Sequence, residues 1–204
     1  MCMRRGSILL VAVAIACAAT TDIGNVTRVV RTADLLRGKS TTPIKERDAV
    51  AENDRVRTQA SGRARIVLRD GSIINIGSST LFTVKGANEG SRAGSLEIAY
   101  GRIRADVVAS AGGGRYQIRT STAVCGVLGT TVFVDASRDL TRVANLSDDP
   151  KSLVRVVSAD AKTPGEVVLK PGEGTSVPVK GAPQPPRHWS PEEVLAAQQD
   201  TQIP

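Results

Sequence analysis

Aromatic side chains are nearly missing from this sequence: Phe, Tyr and Trp together make up 2% of its 204 residues. A chain so poor in rings lacks the stacking platforms that single-stranded nucleic acids use. No helix-turn-helix or zinc-finger spacing compensates, so nucleic acid is not the expected partner. Histidine is almost absent too. His188 is the only one, and a lone imidazole cannot make a zinc site without several other ligands. Three cysteines occur, and Cys2 and Cys17 both fall in the first twenty residues. That leaves Cys125 alone, unable to close an internal disulfide. It lies in an apolar run, where a free cysteine behaves as a small buried hydrophobe. The triple glycine Gly112–Gly114 is not followed by the Lys-Ser/Thr of a phosphate-binding loop. No nucleotide, flavin, haem or metal motif is present, so no cofactor is expected.

Long apolar runs are lacking as well, except at the start. Met1–Ala19 has the layout of a secretory signal: Arg4 and Arg5, the apolar stretch Ile8–Ala16, then small residues. It is too short to remain as a membrane-spanning helix. Ala16-Cys17-Ala18 fits ordinary signal-peptide cleavage. Val13–Cys17 also resembles a bacterial lipobox, with Ala14 where leucine is usual, which makes Cys17 the candidate lipidation site. The formal charge is +7, and removal of Arg4 and Arg5 leaves 25 basic against 20 acidic side chains, or +5. A modestly basic exported protein favours an acidic partner surface, an anionic headgroup or an acidic glycan.

What the sequence does have is alternation and turns. With so few rings, its core must be built from Val, Ile, Leu and Ala, which suits stacked short strands. In Gly62–Val84, the residues Ala64, Ile66 and Leu68 share one face, and Ile74 and Ile76 belong on the same side. Matching those faces requires an odd loop. Arg69-Asp70-Gly71 supplies it, pairing Ile66 with Ile74 and Leu68 with Ser72, with Gly71 in the left-handed position. Asp70 is then a turn former. Leu96, Ile98 and Tyr100 are even, whereas Ile103, Ala105 and Val107 are odd, so an even loop Gly101-Arg102 is expected between them. Tyr116–Thr120 alternates as a half-buried strand. Ala123–Val134, interrupted only by Gly126, Gly129, Thr130 and Thr131, reads as a central strand covered on both faces, with a kink. Across Asp22–Gly38, Ile23, Val26, Val30 and Ala33 fit a helical face, but periodicity over so short a segment does not settle the element. Leu153–Val157, Glu166–Leu169 and Thr175–Val179 read as later strands. Residues 181–189 form a proline-rich linker. Ser190-Pro191-Glu192-Glu193 then starts a short helix within residues 190–204, a piece that docks on the domain or frays. Arg63, Arg65 and Arg69 lie opposite the apolar face of their strand as a basic stripe, either a solvated face or a contact for an acidic partner.

The block GVLGTTVFV (Gly126–Val134) resembles the glycine-valine-arginine-glycine-threonine block of FecR-type domains, extracytoplasmic all-β modules of bacteria. The pieces around it match in order. AVAENDRVRT (Ala49–Thr58) is similar to the family's Gly-Asp-x-Val-x-Thr segment, with Glu52 and Asn53 close to its usual glycine. GRARIVLRDGSIINIGSSTLFTV (Gly62–Val84) resembles its Arg-Asp-Gly-Ser hairpin. SLEIAYGRIRADV (Ser95–Val107) resembles its Leu…Gly strand pair, and VVLKPGEGTSV (Val167–Val177) its closing turn. Leu128 stands where the family usually has arginine. The resemblance implies an all-β fold, short strands in a twisted solenoid-like or sandwich stack over residues 26–180, with the short C-terminal helix beyond. It implies strands, not a helix, across Asp22–Gly38. It makes Gly71, Gly101, Gly126, Gly129 and Thr130 structural positions. FecR-type regulators pass a signal from an outer-membrane receptor to a cytoplasmic sigma factor through a spanning helix. This chain shows neither that helix nor a cytoplasmic segment, so direct sigma-factor control is not expected of it. The expectation is a non-catalytic interaction or scaffold module of the cell envelope. It sits in the periplasm or at the outer membrane, and meets an envelope protein with an acidic surface through Arg63, Arg65 and Arg69. The alternative is an enzyme or binding protein acting on envelope glycans, since two carboxylates suffice for glycoside hydrolysis. Lipidation of Cys17 predicts partition of the protein into a detergent phase, with Cys17→Ser leaving a soluble or unprocessed form. Wild-type protein free in the periplasm or medium overturns it.

Overall fold

The computed structural model describes residues 22–85, 94–109 and 116–204. The expected signal segment with Cys17 lies outside the described residues, as do 86–93 and 110–115. The chain opens with β1 (Asp22–Val30), β2 (Ala33–Arg37), β3 (Ser40–Pro43), β4 (Ala49–Ala51) and β5 (Arg55–Thr58). The hairpin of β6 (Arg63–Leu68) and β7 (Ile73–Ile76) follows, then β8 (Leu81–Lys85) and the long β9 (Gly94–Asp106). Four hairpins complete the sheets: β10 (Tyr116–Arg119) with β11 (Ala123–Val127), β12 (Thr131–Ala136) with β13 (Leu140–Asn145), β14 (Val154–Ser158) with β15 (Glu166–Leu169), and β16 (Glu173–Pro178) with β17 (Arg187–His188). The helix α1 (Pro191–Thr201) ends the fold.

Pairing sorts these strands into two sheets that share β9. The first runs β4-β1-β6-β7-β9-β12-β13-β16-β17. The second runs β3-β2-β5-β8-β9-β10-β11-β14-β15. Every pair is antiparallel except β9–β10, which is parallel. From β10 onward successive hairpins fall alternately in the second and first sheets, so the chain coils along the stack as it advances. Asp22–Gly38, a helical face by pattern and strand by resemblance, forms strands. One core fills the space between the sheets. Ile66, Ile74, Ile103 and Val134 enter it from the first, and Val56, Phe82, Ile98, Ile118 and Val156 from the second. This is the expected all-β stack of aliphatic layers, and the sheets stay open at their ends.

The hairpin at residues 63–76 has the register that parity demands. Ile66 faces Ile74 and Ala64 faces Ile76. Leu68 N donates to Ser72 O at 2.9 Å, and Gly71, at φ +86°, closes the loop through its N–H to Leu68 O at 3.0 Å. Asp70 accepts from Ser72 N and Oγ at 2.9 and 3.1 Å, and from the Tyr116 hydroxyl at 2.7 Å. Burial, and then the carboxylate beside it, push the Tyr116 pKa upward. Asn53, near the place of the family's glycine, takes φ +66° in the turn between β4 and β5.

The even loop expected at Gly101-Arg102 is not there. β9 continues through Gly101, and its two halves belong to different sheets: Ser95–Tyr100 pairs with β8, Gly101–Asp106 with β12. A bulge skips Ala99, since Leu81 faces Tyr100 and Phe82 faces Ile98. Gly101 itself sits at φ +99°. The strand turns a corner of the sandwich, and this reverses side-chain parity as an even loop would. Leu96 and Ile98 therefore point into the core from one sheet, and Ile103 and Ala105 from the other, all fully buried. Tyr100, expected with the apolar set, is exposed at the corner.

The run Ala123–Val134 is also not a single kinked strand. It divides at Leu128–Thr130 into β11 of the second sheet and β12 of the first. β11 alternates, with Ala123, Cys125 and Val127 inward and Val124 and Gly126 outward. A Cβ at Gly126 would meet nothing closer than 3.8 Å. Only β12 is covered on both faces, with Val132, Phe133 and Val134 all buried. Gly129 lies in the turn at φ +59°, and Thr130 beside it is buried, its Oγ1 donating to Leu128 O at 2.9 Å. Cys125 is fully buried, and desolvation pushes its thiol pKa up to about 12. Asn145, in a sequon-like triplet, is buried and donates its amide to Ser152 O and Leu169 O at 3.0 and 3.1 Å.

Two of the positive-φ glycines, Gly71 and Gly101, differ in a testable way. A Cβ on Gly71 would meet only Val108 Cγ2 at 3.8 Å, whereas one on Gly101 would meet Thr80 Oγ1 at 2.3 Å and Thr80 Cα at 2.5 Å. Gly71→Ala should cost about 1–3 kcal/mol of backbone strain. Gly101→Ala should cost roughly 1–3 kcal/mol more, because the corner is overpacked. Denaturant unfolding of both variants checks the order; equal losses would remove the corner from this account.

Candidate functional site

Because strand side chains alternate, the outward positions of the first sheet line up across its ladders. One row reads Arg28, Arg65, Asn75, Arg104, Phe133, Ala144, Gly174 from β1 to β16. It is cationic on one half and apolar on the other. A neighbouring row reads Arg102, Asp135, Arg142, Ser176. There Asp135 sits between two guanidiniums, 2.5 Å from Arg142 and 3.5 Å from Arg102. Arg65 Nε donates to Asn75 Oδ1 at 2.8 Å, and Asp106 accepts from Asn75 Nδ2 at 3.4 Å and from Thr131 Oγ1 at 3.0 Å. Arg104 Nε is buried in this network without a hydrogen-bond partner.

The C-terminal tail lies across this face. Residues 181–189, expected as a stiff linker, follow the sheet edge: Thr175 Oγ1 donates to Gln184 O at 2.6 Å, and Arg187 and His188 pair with β16. Trp189 packs edge-on against Phe133, with ring centroids 5.9 Å apart. Its indole occupies the space above Gly174, where a Cβ would fall 1.9 Å from Nε1. Ser190 caps α1 as its sequence signature requires. Glu193 N donates to Ser190 Oγ at 3.3 Å and Ser190 N donates to Glu193 Oε2 at 2.9 Å, with Pro191 in the first turn. The helix turns Ala197 and Thr201 inward, and Ile203 beyond it is buried. Full burial of one such aliphatic side chain is worth about 1.5–3 kcal/mol.

Arginines hold the far end of the tail. Arg63 Nε donates to Asp200 O at 3.3 Å, Arg65 Nη2 to Ile203 O at 3.0 Å, and Arg28 Nε to Pro204 O at 3.1 Å. Arg102 Nη1 binds the Asp200 carboxylate at 2.7 Å. A helix leaves its last carbonyls unsatisfied and negative, and α1 has no basic residue in its last turn. The sheet supplies the missing cations.

The three arginines read from the sequence as one stripe thus have two environments. Arg63 and Arg65 are half-buried beneath the tail, and Arg69 is exposed at the hairpin end. Sequence reasoning did not find Arg28, Arg102, Arg104 or the Phe133–Trp189 pair. The one usable signal was the single tryptophan of an aromatic-poor chain, placed just before a helix cap. Elsewhere, Asp54 is buried and takes a bidentate contact from Arg37 at 2.5 and 2.8 Å, joining β2 to the turn after β4. Among the described residues no group of His, Cys, Asp and Glu is arranged to hold a metal ion. No helix among them is long and apolar enough to cross a membrane.

The cap should report on pH. Arg187, and then the Ser190 N–H, hold the Glu193 carboxyl down at about 2. A depressed carboxylate contributes stability above its unfolded pKa of about 4.3 and loses it as pH falls toward the folded value. Trp189 fluorescence should therefore change between about pH 4.5 and pH 2 before the sheets melt, and Glu193→Gln should abolish that separate step. A tryptophan change coincident with strand unfolding in both proteins would overturn this.

Residues 54–148 match the family model described as FecR protein. Two crystal structures of a protein of Parabacteroides distasonis ATCC 8503, proposed to be an anti-sigma factor, are similar to this chain; they were solved at 1.65 and 2.50 Å. Each superposes with a TM-score of 0.58 at 20% identity, over 71% of this chain and 64% of that one. The likeness therefore spans a little under two thirds of the neighbour's length and concerns the fold. No curated protein matches the chain. The matched segment begins at the buried Asp54 and takes in β5 through β13, the shared strand and its corner included, so the part of the chain that is similar to FecR proteins is the part that builds the corner.

Proposed function

We propose that this chain is a non-catalytic interaction module of the bacterial cell envelope with a place in envelope signalling. The carrying observation is the outer face of the first sheet, where three arginines on the paired strands β1 and β6 grip a peptide segment by its main-chain carbonyls. Such a face is built to bind chain, not to transform it: it offers fixed donors and an apolar half, and its one carboxylate between arginines, Asp135, is already paired. The similarity to FecR proteins supports a regulatory setting. The anti-sigma name of the structural neighbour is not carried over, because that likeness is one of fold. Location in the periplasm or at the outer membrane, with Cys17 as a lipid anchor, belongs to the same reading, as does a partner with an acidic surface that salt screens.

Purified protein used as bait in envelope extracts tests this. Recovery of an acidic envelope protein should fall several-fold at high salt and on joint reversal of Arg63, Arg65 and Arg69 to Glu. Arg69→Glu alone leaves the tail's grip intact and should give a partial loss. Recovery indifferent to salt and to both variants would remove the arginines from the interface. Hydrolysis of an envelope glycan by the purified chain, lost on changing one acid, would replace the binding reading with an enzymatic one.

A further inference from the structure

The tail shows what kind of ligand the arginine face takes. We infer that the outer face of the first sheet is a peptide-recognition surface for the C-terminal end of a partner's helix, one carrying an acidic residue followed three positions later by an aliphatic one. The chain's own residues 190–204 occupy it as a displaceable resident. This rests on the interaction reading above and names its surface and ligand chemistry.

Three observations carry it. The grip is mostly to main chain: Arg63, Arg65 and Arg28 take the carbonyls of Asp200, Ile203 and Pro204, contacts that any helix end followed by extended chain can make. The side-chain readout is Asp200 on Arg102 and Ile203 in its buried seat, with Ala197 and Thr201 as small buried positions that limit side-chain size. An acid and an aliphatic residue three apart, together with two small residues, therefore set the specificity. Second, the resident is lightly anchored. α1 buries only Ala197 and Thr201, its Leu195 is 53% exposed, and the Arg102–Asp200 pair is about 40% exposed on both sides, at 39% and 41%. Exposed pairs of this kind hold weakly. Third, the face has donor capacity that the tail does not use, since Arg104 Nε is buried there without a hydrogen bond and meets only the Asp106 carboxylate at 3.7 Å. A competing segment that adds one acceptor to the same carbonyl pattern can displace the tail and expose Phe133, Trp189 and Ala144 to the partner.

The full-length chain with Asp200→Lys and Ile203→Glu disables its own tail and leaves the arginines in place. The probe is a fluorescein-labelled peptide of residues 187–204, read by anisotropy. The disabled chain should bind it at least tenfold tighter than wild type does. The advantage should vanish for a probe carrying the same two changes, and for a disabled chain that also has Arg65→Glu. Equal, weak binding by wild type and by a disabled chain whose strand circular dichroism is unchanged would overturn the inference. Hydrogen exchange on the unaltered chain keeps the question decidable if the variant does not fold. Helix amides 195–201 should exchange at least a hundredfold faster than those of β6 and β12, and exchange only with global unfolding would mean that the tail is not displaceable. Recovery of an envelope partner together with failure of the probe would leave the interaction reading standing and sink this surface.

Discussion

One strand belongs to both sheets, and the position where it changes sheet cannot carry a side chain. β9 passes from the second sheet to the first at Gly101, where a Cβ would collide with Thr80. The corner is held by a small buried hydrogen-bond network. Thr80 Oγ1 accepts from Arg102 N at 2.9 Å, Thr80 N donates to Thr58 Oγ1 at 3.0 Å, and Thr58 Oγ1 donates to Gly77 O at 2.6 Å. Gly77 N in turn donates to Arg102 O at 2.8 Å. Bending a strand breaks its ladder, and each backbone group left unpaired inside costs about 1–3 kcal/mol. Two threonines replace the ladder where it fails. Everything downstream depends on this bend, because β10 pairs with the first half of β9 and β12 with the second.

The shortage of aromatic residues follows from the same architecture. Hairpins laid alternately on two open sheets make a thin core, in which inward positions come in short rows of two or three residues on strands such as β6, β7 and β11. Branched aliphatic side chains fill such rows from both sides. Phe82 is the only ring among the buried members of the main cluster. Phe133 and Trp189 lie on the other side of the first sheet, in a second small cluster with Ala144 and Ala197. Two of the chain's five rings are thus used where the tail needs a broad, shallow contact.

How much of this could be read in the sequence depended on the distance over which each decision is made. The Gly71 loop was legible because parity, turn length and glycine position are fixed within a dozen residues. The Gly101 corner was detected but misassigned. A change of parity signals either an even loop or a bulged strand that changes sheet, and only the neighbours, Thr80 above all, decide between them. The run Ala123–Val134 was misread for a related reason: an uncharged stretch fits one strand covered on both faces or two strands facing one core from opposite sides. Double coverage of Phe133 depends on Trp189, far along the chain. The binding face was least legible. Arg63 meets Asp200 across 137 positions, and nothing local to either residue announces the other. The helix cap, by contrast, is a local signature and was read directly from Ser190 to Glu193.

The tail's mode of attachment has a consequence for the stability of the whole. The sandwich is held by fully buried aliphatic layers, whereas the tail is held by Ala197, Ile203 and a set of arginine contacts at the surface. These two kinds of interaction respond differently to salt and to acid: apolar burial is insensitive to both, and exposed charge pairs are weakened by each. A molecule built this way does not open uniformly. On the inference that the tail is displaceable, the molecule's lowest-energy opening is local, confined to the segment whose ties are largely electrostatic, while the corner at Gly101 and the core on either side stay closed. Opening there removes the ligand from Arg63, Arg65 and Arg102 together, since one rigid helix carries all their acceptors or leads directly to them. The face is therefore either covered or free as a unit, and the free state presents a preformed row of cations beside an apolar patch on a sheet that has not moved.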